Sequence, residues 1–252
     1  MRRVRVVGIG SGDPEQLTSE AADALAGVDY VIAADKGPED PLLRLRQELC
    51  ARYGTPMVSV ADPERDRDEA RTATGADYRA AVGSWHEARV AAYEQVLLDR
   101  PGDVAFLVWG DPAFYDSTLR IVDRLLERGN VAFTHDVLPG ISSPQLLAAR
   151  HRIVLHQVGQ AVLVTTGRRL AVDVAAGNDN LVVMLDGDLA CLDPDVVPDP
   201  GSWRIWWGAN LGAEHEQLVA GPLVDVAQDL RRRRAAAAAA GWVMDTYLLR
   251  RI

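Results

Sequence analysis

Short apolar segments alternate with amphipathic helical segments through the first half of the sequence, and each apolar segment ends in a turn rich in glycine, proline or aspartate. The first such unit predicts a strand over 4–9, a helix over 19–26 and a second strand over 28–34. Strands joined through a helix run parallel, and a parallel sheet is covered by helices on both faces. The pattern therefore predicts an α/β fold whose strand ends gather at one edge of a sheet.

The rest of the chain extends this pattern and then changes it. Helical spacing and apolar runs predict three further helices and three further strands in the first half: 41–52, 78–98, 117–128, 56–60, 103–109 and 131–136. Shorter strands with hairpin-length links and one last helix follow: 161–165, 181–185, 203–207, 216–219, 242–249 and 223–239. We predict two α/β domains, the N-terminal one over 1–112 and the C-terminal one, with a mixed sheet, over 113–252.

Composition excludes several classes of protein. The formal net charge of −9 argues against non-specific nucleic-acid binding, which needs a basic surface. Cys50 and Cys191 are far apart and have no partner at ligand spacing, so neither a disulfide framework nor a metal site is expected. No segment approaches the roughly 20 apolar residues that span a bilayer. We expect a cytoplasmic protein with neither nucleic-acid nor membrane partners.

A glycine-rich turn, Gly8-Ile9-Gly10-Ser11-Gly12-Asp13, follows the first strand. Together with Asp35 at the end of the next strand, it invites comparison with NAD(P)-dependent oxidoreductases. The third glycine comes one residue early, Asp13 would repel a pyrophosphate, and Pro14 delays the following helix. The oxidoreductase hypothesis therefore remains open only as an alternative.

The strand predicted over 103–109 ends abruptly at Gly110-Asp111-Pro112, and Ser117 or Thr118 is placed to cap the next helix. A strand that ends in a glycine turn before a helix is a common position for a small ligand. A simple turn is the alternative explanation.

A third turn, Pro139-Gly140-Ile141-Ser142-Ser143, follows the strand predicted over 131–136. Free backbone N–H groups and serine hydroxyls at a helix start favour a carboxylate or another acceptor. Helix capping by Ser142 or Ser143 explains the same residues without a ligand.

Together these motifs resemble the tetrapyrrole methylases, S-adenosylmethionine-dependent enzymes of corrin and sirohaem synthesis. The segments that carry the resemblance are 7–18, 110–112, 139–143 and 211–223. The resemblance implies a class III methyltransferase-like fold of two α/β domains, with the methyl donor in a cleft between them, in a homodimer. It also implies S-adenosylhomocysteine as a product and a small tetrapyrrole as the partner.

The same resemblance implies a set of donor-binding residues. Their shared feature is a position at or shortly after the end of a strand, or at a helix start: Gly110, Asp111, Tyr115, Ser142, Ser143, and Met184 or Leu185. The choice between Met184 and Leu185 is open at this point.

Within the family, the segments 35–37, 62–67, 85–86 and 245–251 are most similar to the deacetylating members. Those enzymes methylate ring carbon 1 of precorrin-5 and release the ring acetyl group as acetate. Another precorrin or uroporphyrinogen methyltransferase and a non-catalytic protein that binds an adenosyl ligand are the further alternatives.

Deacetylation requires a general base and stabilisation of charge on the carbonyl oxygen. The candidates for catalysis are Asp13, Asp35, His86 and Tyr115. Precorrins carry many carboxylates, and the local field matters more than net charge at a cleft. The cationic residues predicted to bind the substrate are Lys36, Arg65, Arg67 and Arg89.

Overall fold

A computed structural model of the chain describes residues 1–35, 37, 40–63, 76–239, 241 and 243–252, with only the backbone for Pro41 and residues 76–84. The chain divides into two compact units. The first unit contains residues 1–10 and 14–140, and the second contains residues 11–13 and 141–252.

The first unit is built on a five-stranded sheet with the order β3-β2-β4-β1-β5. Its strands are β1 (Arg2–Gly8), β2 (Tyr30–Asp35), β3 (Met57–Ala61), β4 (Val104–Val108) and β5 (Phe133–Leu138). Every neighbouring pair is parallel. The turns that follow the strands therefore lie at one edge of the sheet, which confirms the expectation from the sequence.

Helices cover both faces of this sheet: α1 (Ser19–Ala26), α2 (Pro41–Tyr53), α3 (Ala76–Asp99) and α4 (Thr118–Arg128). The N-cap of α1 is Thr18, whose hydroxyl accepts a hydrogen bond from Ala21 N. Helix α4 ends at Gly129 in the left-handed conformation, as its sequence predicts. Apolar residues of α1 and α2 pack on one face of the sheet, and those of α3 and α4 pack on the other.

The second unit contains a mixed sheet, as predicted, and its strands have the order β6-β7-β10-β8-β9. Its strands are β6 (Leu163–Thr166), β7 (Asn180–Met184), β8 (Trp203–Ala209), β9 (Gln217–Pro222) and β10 (Asp245–Arg251). Strands β6 and β7 are parallel, and the other pairs are antiparallel. The helices of this unit are α5 (Ser143–His151), α6 (Leu170–Ala175) and α7 (Leu223–Ala239). The sequence predicts the full extent of α7, but the short α6 was missed.

The domain boundary predicted after Pro112 is too early. Helix α4 and strand β5 follow that position, yet both belong to the first unit. The reason is that β5 completes the first sheet, because it pairs with β1 from Phe133 to Leu138. The mixed polar and apolar character of β5 is that of an edge strand, so the sequence rhythm changes before the unit ends.

No helix in the described parts of the chain is long and apolar enough to cross a membrane.

Both cysteines are free and buried, Cys50 in the first unit and Cys191 in the second. Burial raises the pKa of the Cys50 thiol to about 11 and that of the Cys191 thiol to about 12. Since the thiolate is the reactive form, these positions favour unreactive, structural cysteines.

We therefore expect neither thiol of the native protein to react with iodoacetamide at about pH 8, where the thiolate fraction is at least roughly a hundredfold below that of an ordinary cysteine. Mass spectrometry after brief labelling measures the result, and protein unfolded in urea is the control in which both thiols react. Rapid alkylation of either cysteine in the native protein would contradict this prediction.

Candidate functional site

The turns after β1, β4 and β5 meet at the C-terminal edge of the first sheet. Gly10 and Gly110 form a backbone bridge in which Gly110 N donates to Gly10 O at 2.7 Å and Gly10 N donates to Gly110 O at 3.2 Å. Both glycines have a positive φ, +76° at Gly10 and +69° at Gly110, which residues other than glycine rarely adopt. These two backbone hydrogen bonds join the turn after β1 to the turn after β4.

A third turn approaches the same place so closely that only glycine fits. A β-carbon on Gly8 would lie 2.5 Å from Gly140 N, and one on Gly140 would lie 2.2 Å from Gly110 O. The three turns that the sequence singles out as ligand-binding motifs are therefore packed backbone against backbone.

The carboxylate of Asp111 ties this arrangement together. Its Oδ2 accepts a hydrogen bond from Gly140 N at 2.9 Å, and its Oδ1 accepts one from Ala113 N at 2.8 Å. Asp111 therefore shapes its own turn and links it to the turn after β5. Contact of Asp111 with a methyl donor stays a prediction.

Tyr115 stands out in the segment between Asp111 and α4. It is a non-glycine residue with a positive φ of 51°, and 48% of it is exposed. Such a conformation in a bulky residue is uncommon and often marks a functional site. The cap of α4 differs from the prediction, because Ser117 makes no capping hydrogen bond and Asp116 Oδ1 instead accepts from Thr118 N at 2.5 Å.

In the second unit, Ser142 is the N-cap of α5 and Ser143 is the first residue of that helix. Gln145 closes a capping box, since its Oε1 accepts from Ser142 N at 2.9 Å and from the Ser142 hydroxyl at 2.7 Å. Capping thus accounts for the Ser142 side chain, and donor binding by either serine stays a prediction.

Strand β7 ends at Met184, and Leu185 follows with a positive φ of 53° and 58% of its surface exposed. The next residue, Asp186, holds this loop through two hydrogen bonds. Its Oδ2 accepts from Tyr247 Oη at 2.6 Å and from Ala190 N at 2.8 Å. Leu185 is therefore exposed and has a left-handed backbone conformation, which is unfavourable in free energy for a residue other than glycine.

The predicted catalytic residues lie on different elements. Asp35 ends β2, and its Oδ1 accepts from Gly37 N at 2.8 Å. His86 lies on α3 with its ring centroid 4.9 Å from that of Trp85, and it lines a cavity of about 310 Å³ with residues of α4. Tyr115 belongs to the same unit, whereas Asp13 belongs to the segment 11–13 of the second unit.

Arg89, predicted to bind substrate, already has an acidic partner. Its Nε lies 2.8 Å from Asp62 Oδ1, and the side chains are only 13% and 9% exposed. The guanidinium carbon also lies 4.7 Å from the ring centroid of Trp85. Its charge is therefore balanced inside the protein. Lys36, Arg65 and Arg67, the other predicted substrate-binding residues, lie outside the described residues.

Sequence reasoning missed two residues at these strand ends, Arg46 and Asp186. The Nε of Arg46, on α2, donates to Leu107 O of β4 at 2.9 Å. Nothing in the sequence distinguishes Arg46 from a solvated helical arginine. Asp186 follows directly on the predicted Met184 and Leu185, so its position in the sequence was the available signal.

Within the described residues, no group of three or more histidine, cysteine, aspartate or glutamate side chains could hold a metal ion.

Comparison with known proteins gives consistent results. Residues 3–227 match the family model described as Tetrapyrrole (Corrin/Porphyrin) Methylases. The chain is 43% identical to precorrin-6A synthase [deacetylating] from Sinorhizobium sp., over 100% of this chain and 96% of the relative.

Solved structures show the same relationship. A cobalamin synthesis related protein (CobF) from Corynebacterium diphtheriae has a TM-score of 0.82 and 36% identity, covering 100% of this chain and 99% of that one. Uroporphyrin-III C-methyltransferase from Thermus thermophilus, crystallised with S-adenosylhomocysteine, has a TM-score of 0.58 and 20% identity over 98% of this chain and 91% of that one, which shows a shared fold.

We expect Gly140→Ala to lower the free energy of unfolding by about 1 to 3 kcal/mol, because the added methyl group collides with the backbone at Gly110. Chemical denaturation measures the change. The control is Gly201→Ala, where the nearest atom would be 3.6 Å away, and there we expect a change within about 0.5 kcal/mol. Equal effects of the two substitutions would show that the turns are not tightly packed.

Proposed function

The chain belongs to the tetrapyrrole methylases, and we propose that it methylates precorrin-5 at ring carbon 1 with S-adenosylmethionine and releases the ring acetyl group as acetate, giving precorrin-6A. The observation that carries this proposal is the 43% identity to a precorrin-6A synthase [deacetylating] across nearly the full length of both chains. The CobF structure, 36% identical, supports the same branch of the family. S-adenosylhomocysteine is then the second product.

We propose that the donor contacts the turns described above. The proposed donor-binding residues lie at or shortly after the end of a strand, or at a helix start: Gly110, Asp111, Tyr115, Ser142, Ser143, and Met184 or Leu185. Of the last two, the geometry favours Leu185, which is the more exposed and has a left-handed backbone conformation. The hydrogen bonds that the neighbouring Asp186 accepts from Ala190 N and Tyr247 Oη hold this loop in place. Backbone groups in fixed turns suit the polar parts of the donor, and exposed apolar side chains suit its sulfonium.

Methyl transfer from a sulfonium to an electron-rich ring carbon is an in-line displacement, in which alignment matters more than a strong base. Positioning can supply roughly 7 to 11 kcal/mol of such a barrier. The bridge between Gly10 and Gly110 and the carboxylate of Asp111 keep the turn after β4 in one conformation. This rigidity is what the chain contributes to the methyl-transfer step.

Release of the acetyl group needs water to attack the acetyl carbonyl carbon, after which the bond to the ring breaks and its electron pair returns to the macrocycle. A general base must take the proton of that water. Asp13, Asp35, His86 and Tyr115 remain the candidates. We favour Asp35, because one of its carboxylate oxygens accepts from Gly37 N while no donor among the described residues engages the other.

The oxidoreductase alternative is not favoured. Gly8, where the glycine turn begins, is packed against Gly140, and a short 3-10 turn over Pro14–Gln16 separates the glycine turn from α1. The N-terminus of α1 therefore does not follow the turn directly, as a dinucleotide site requires.

We also propose that the chain is a cytoplasmic homodimer, on its resemblance to the family. A measurement of molar mass in solution tests the dimer.

The direct test incubates the protein with methyl-labelled S-adenosylmethionine and a precorrin-5 preparation. We expect label in the tetrapyrrole and one acetate for each methyl group transferred, because both events belong to one reaction. A labelled product without acetate would indicate another methyltransferase of the family. Thermal stabilisation by S-adenosylhomocysteine without any transfer would indicate a binding protein, and stabilisation by NADH alone would indicate an oxidoreductase.

A further inference from the structure

Strands β2 and β4 separate before they reach the C-terminal edge of the first sheet. Their pairing ends at Ile32 and Phe106, although β2 continues to Asp35 and β4 to Val108. Val108 O accepts from Ile9 N on the β1 side, so the carbonyl of Leu107 points to the opposite side, toward β2. A gap therefore opens between the two strands, with one backbone acceptor facing into it.

Arg46 occupies this gap. Its Nε donates to Leu107 O at 2.9 Å, which replaces the hydrogen bond that a longer β2–β4 pairing would supply. The gap is also a switch point of the fold, because α2, which follows β2, and α4, which follows β4, pack on opposite faces of the sheet. In open α/β sheets, ligands bind at such a crevice outside the carboxyl ends of the strands.

The charge of Arg46 is not balanced by an ion pair. Among the described residues no carboxylate lies within ion-pair distance of Arg46, whereas Arg89 is paired with Asp62. The carboxylates that act on it through space are Asp40, which caps α2 through Leu42 N, and Asp116, which accepts from Thr118 N at the start of α4. Burial lowers the pKa of Arg46, and Arg89 adds to the effect by repulsion.

A half-buried arginine of this kind favours an anionic ligand. Among the described residues, only Leu107 O accepts from its guanidinium, so the two terminal N–H₂ groups remain available to a carboxylate. A bidentate contact there would be a strong, charge-assisted hydrogen bond.

We propose that Arg46 binds a peripheral carboxylate of the tetrapyrrole substrate at the crevice between β2 and β4. The identity of the ligand rests on the proposed function, whereas its being a carboxylate rests on the guanidinium N–H groups that the described residues leave unengaged. In this arrangement Arg89 is a neighbour that adds positive potential while its own charge is held by Asp62. Arg46 thereby takes the role that the sequence suggested for Arg89.

The test uses a stable polycarboxylate probe, uroporphyrin III, which carries an acetate and a propionate on each ring. Fluorescence titration compares the wild type with Arg46→Gln, which removes the charge and keeps an N–H donor. We expect at least about tenfold weaker binding in Arg46→Gln and a smaller dependence of affinity on salt. The control is Arg44→Gln, which removes an exposed arginine two residues away on the same helix, and there we expect unchanged affinity.

Two further measurements separate this role from a structural one. S-adenosylhomocysteine affinity should be unchanged in Arg46→Gln, since Arg46 does not belong to the donor-binding turns. The thermal midpoint is expected to fall, because the hydrogen bond from Arg46 Nε to Leu107 O is lost, so binding is compared at a temperature where both proteins are folded. Coproporphyrin III, which has methyl groups in place of the acetates, should bind the wild type more weakly than uroporphyrin III. If Arg46→Gln does not fold, Arg46→Lys replaces it in the titration. Weaker binding of uroporphyrin III by Arg46→Lys, with the salt dependence of the wild type, supports a bidentate contact.

Unchanged uroporphyrin affinity in Arg46→Gln or Arg46→Lys, or no uroporphyrin binding by the wild type, would overturn the inference. Loss of binding in the variant together with no methyl transfer by the wild type would instead support the carboxylate site and contradict the proposed reaction. The uroporphyrin titration therefore tests the carboxylate site at Arg46, and the methyl-transfer assay tests the proposed reaction.

Discussion

The backbone contact of Gly8, Gly110 and Gly140 is the constraint on which the proposed donor site depends. A β-carbon on Gly8 or Gly140 would fall within 2.5 Å of a neighbouring backbone atom. The three turns can therefore approach this closely only if both positions are glycine. The Asp111 carboxylate then holds the turn after β4 to the turn after β5. A preformed site of this kind suits a reaction that depends on alignment, because little ordering remains to be done when the donor binds.

The second constraint is electrostatic and concerns the substrate. The chain carries a formal net charge of −9, yet its first unit holds two arginines, Arg46 and Arg89, close enough to influence each other at the edge of the sheet. Asp62 pairs with Arg89, while Arg46 lies in the gap between β2 and β4 and has no ion-pair partner in the part of the chain that the structure describes. An acidic protein can in this way present a local site for a polycarboxylate, because the field at a crevice is set by nearby groups.

Local patterns in the sequence are sufficient to predict most helices and strands, since periodicity and capping act over a few residues. Helix α7 and the mixed sheet were predicted for this reason. The sequence does not reveal which turns touch, because Gly8 and Gly140 are distant along the chain and their contact depends on strand order. Arg46 was missed for a similar reason, since its acceptor on Leu107 is 61 residues away. Family resemblance supplied the function and the donor residues, which physical patterns alone left open.

The most direct test of the donor site is a crystal structure of the protein with S-adenosylhomocysteine bound. We expect the ligand to contact the backbone of residues 110–115, with the turns at Gly8, Gly110 and Gly140 in the same conformation as without ligand. A ligand bound along the turn 8–12 in the manner of a dinucleotide, or bound away from residues 110–115, would contradict this expectation.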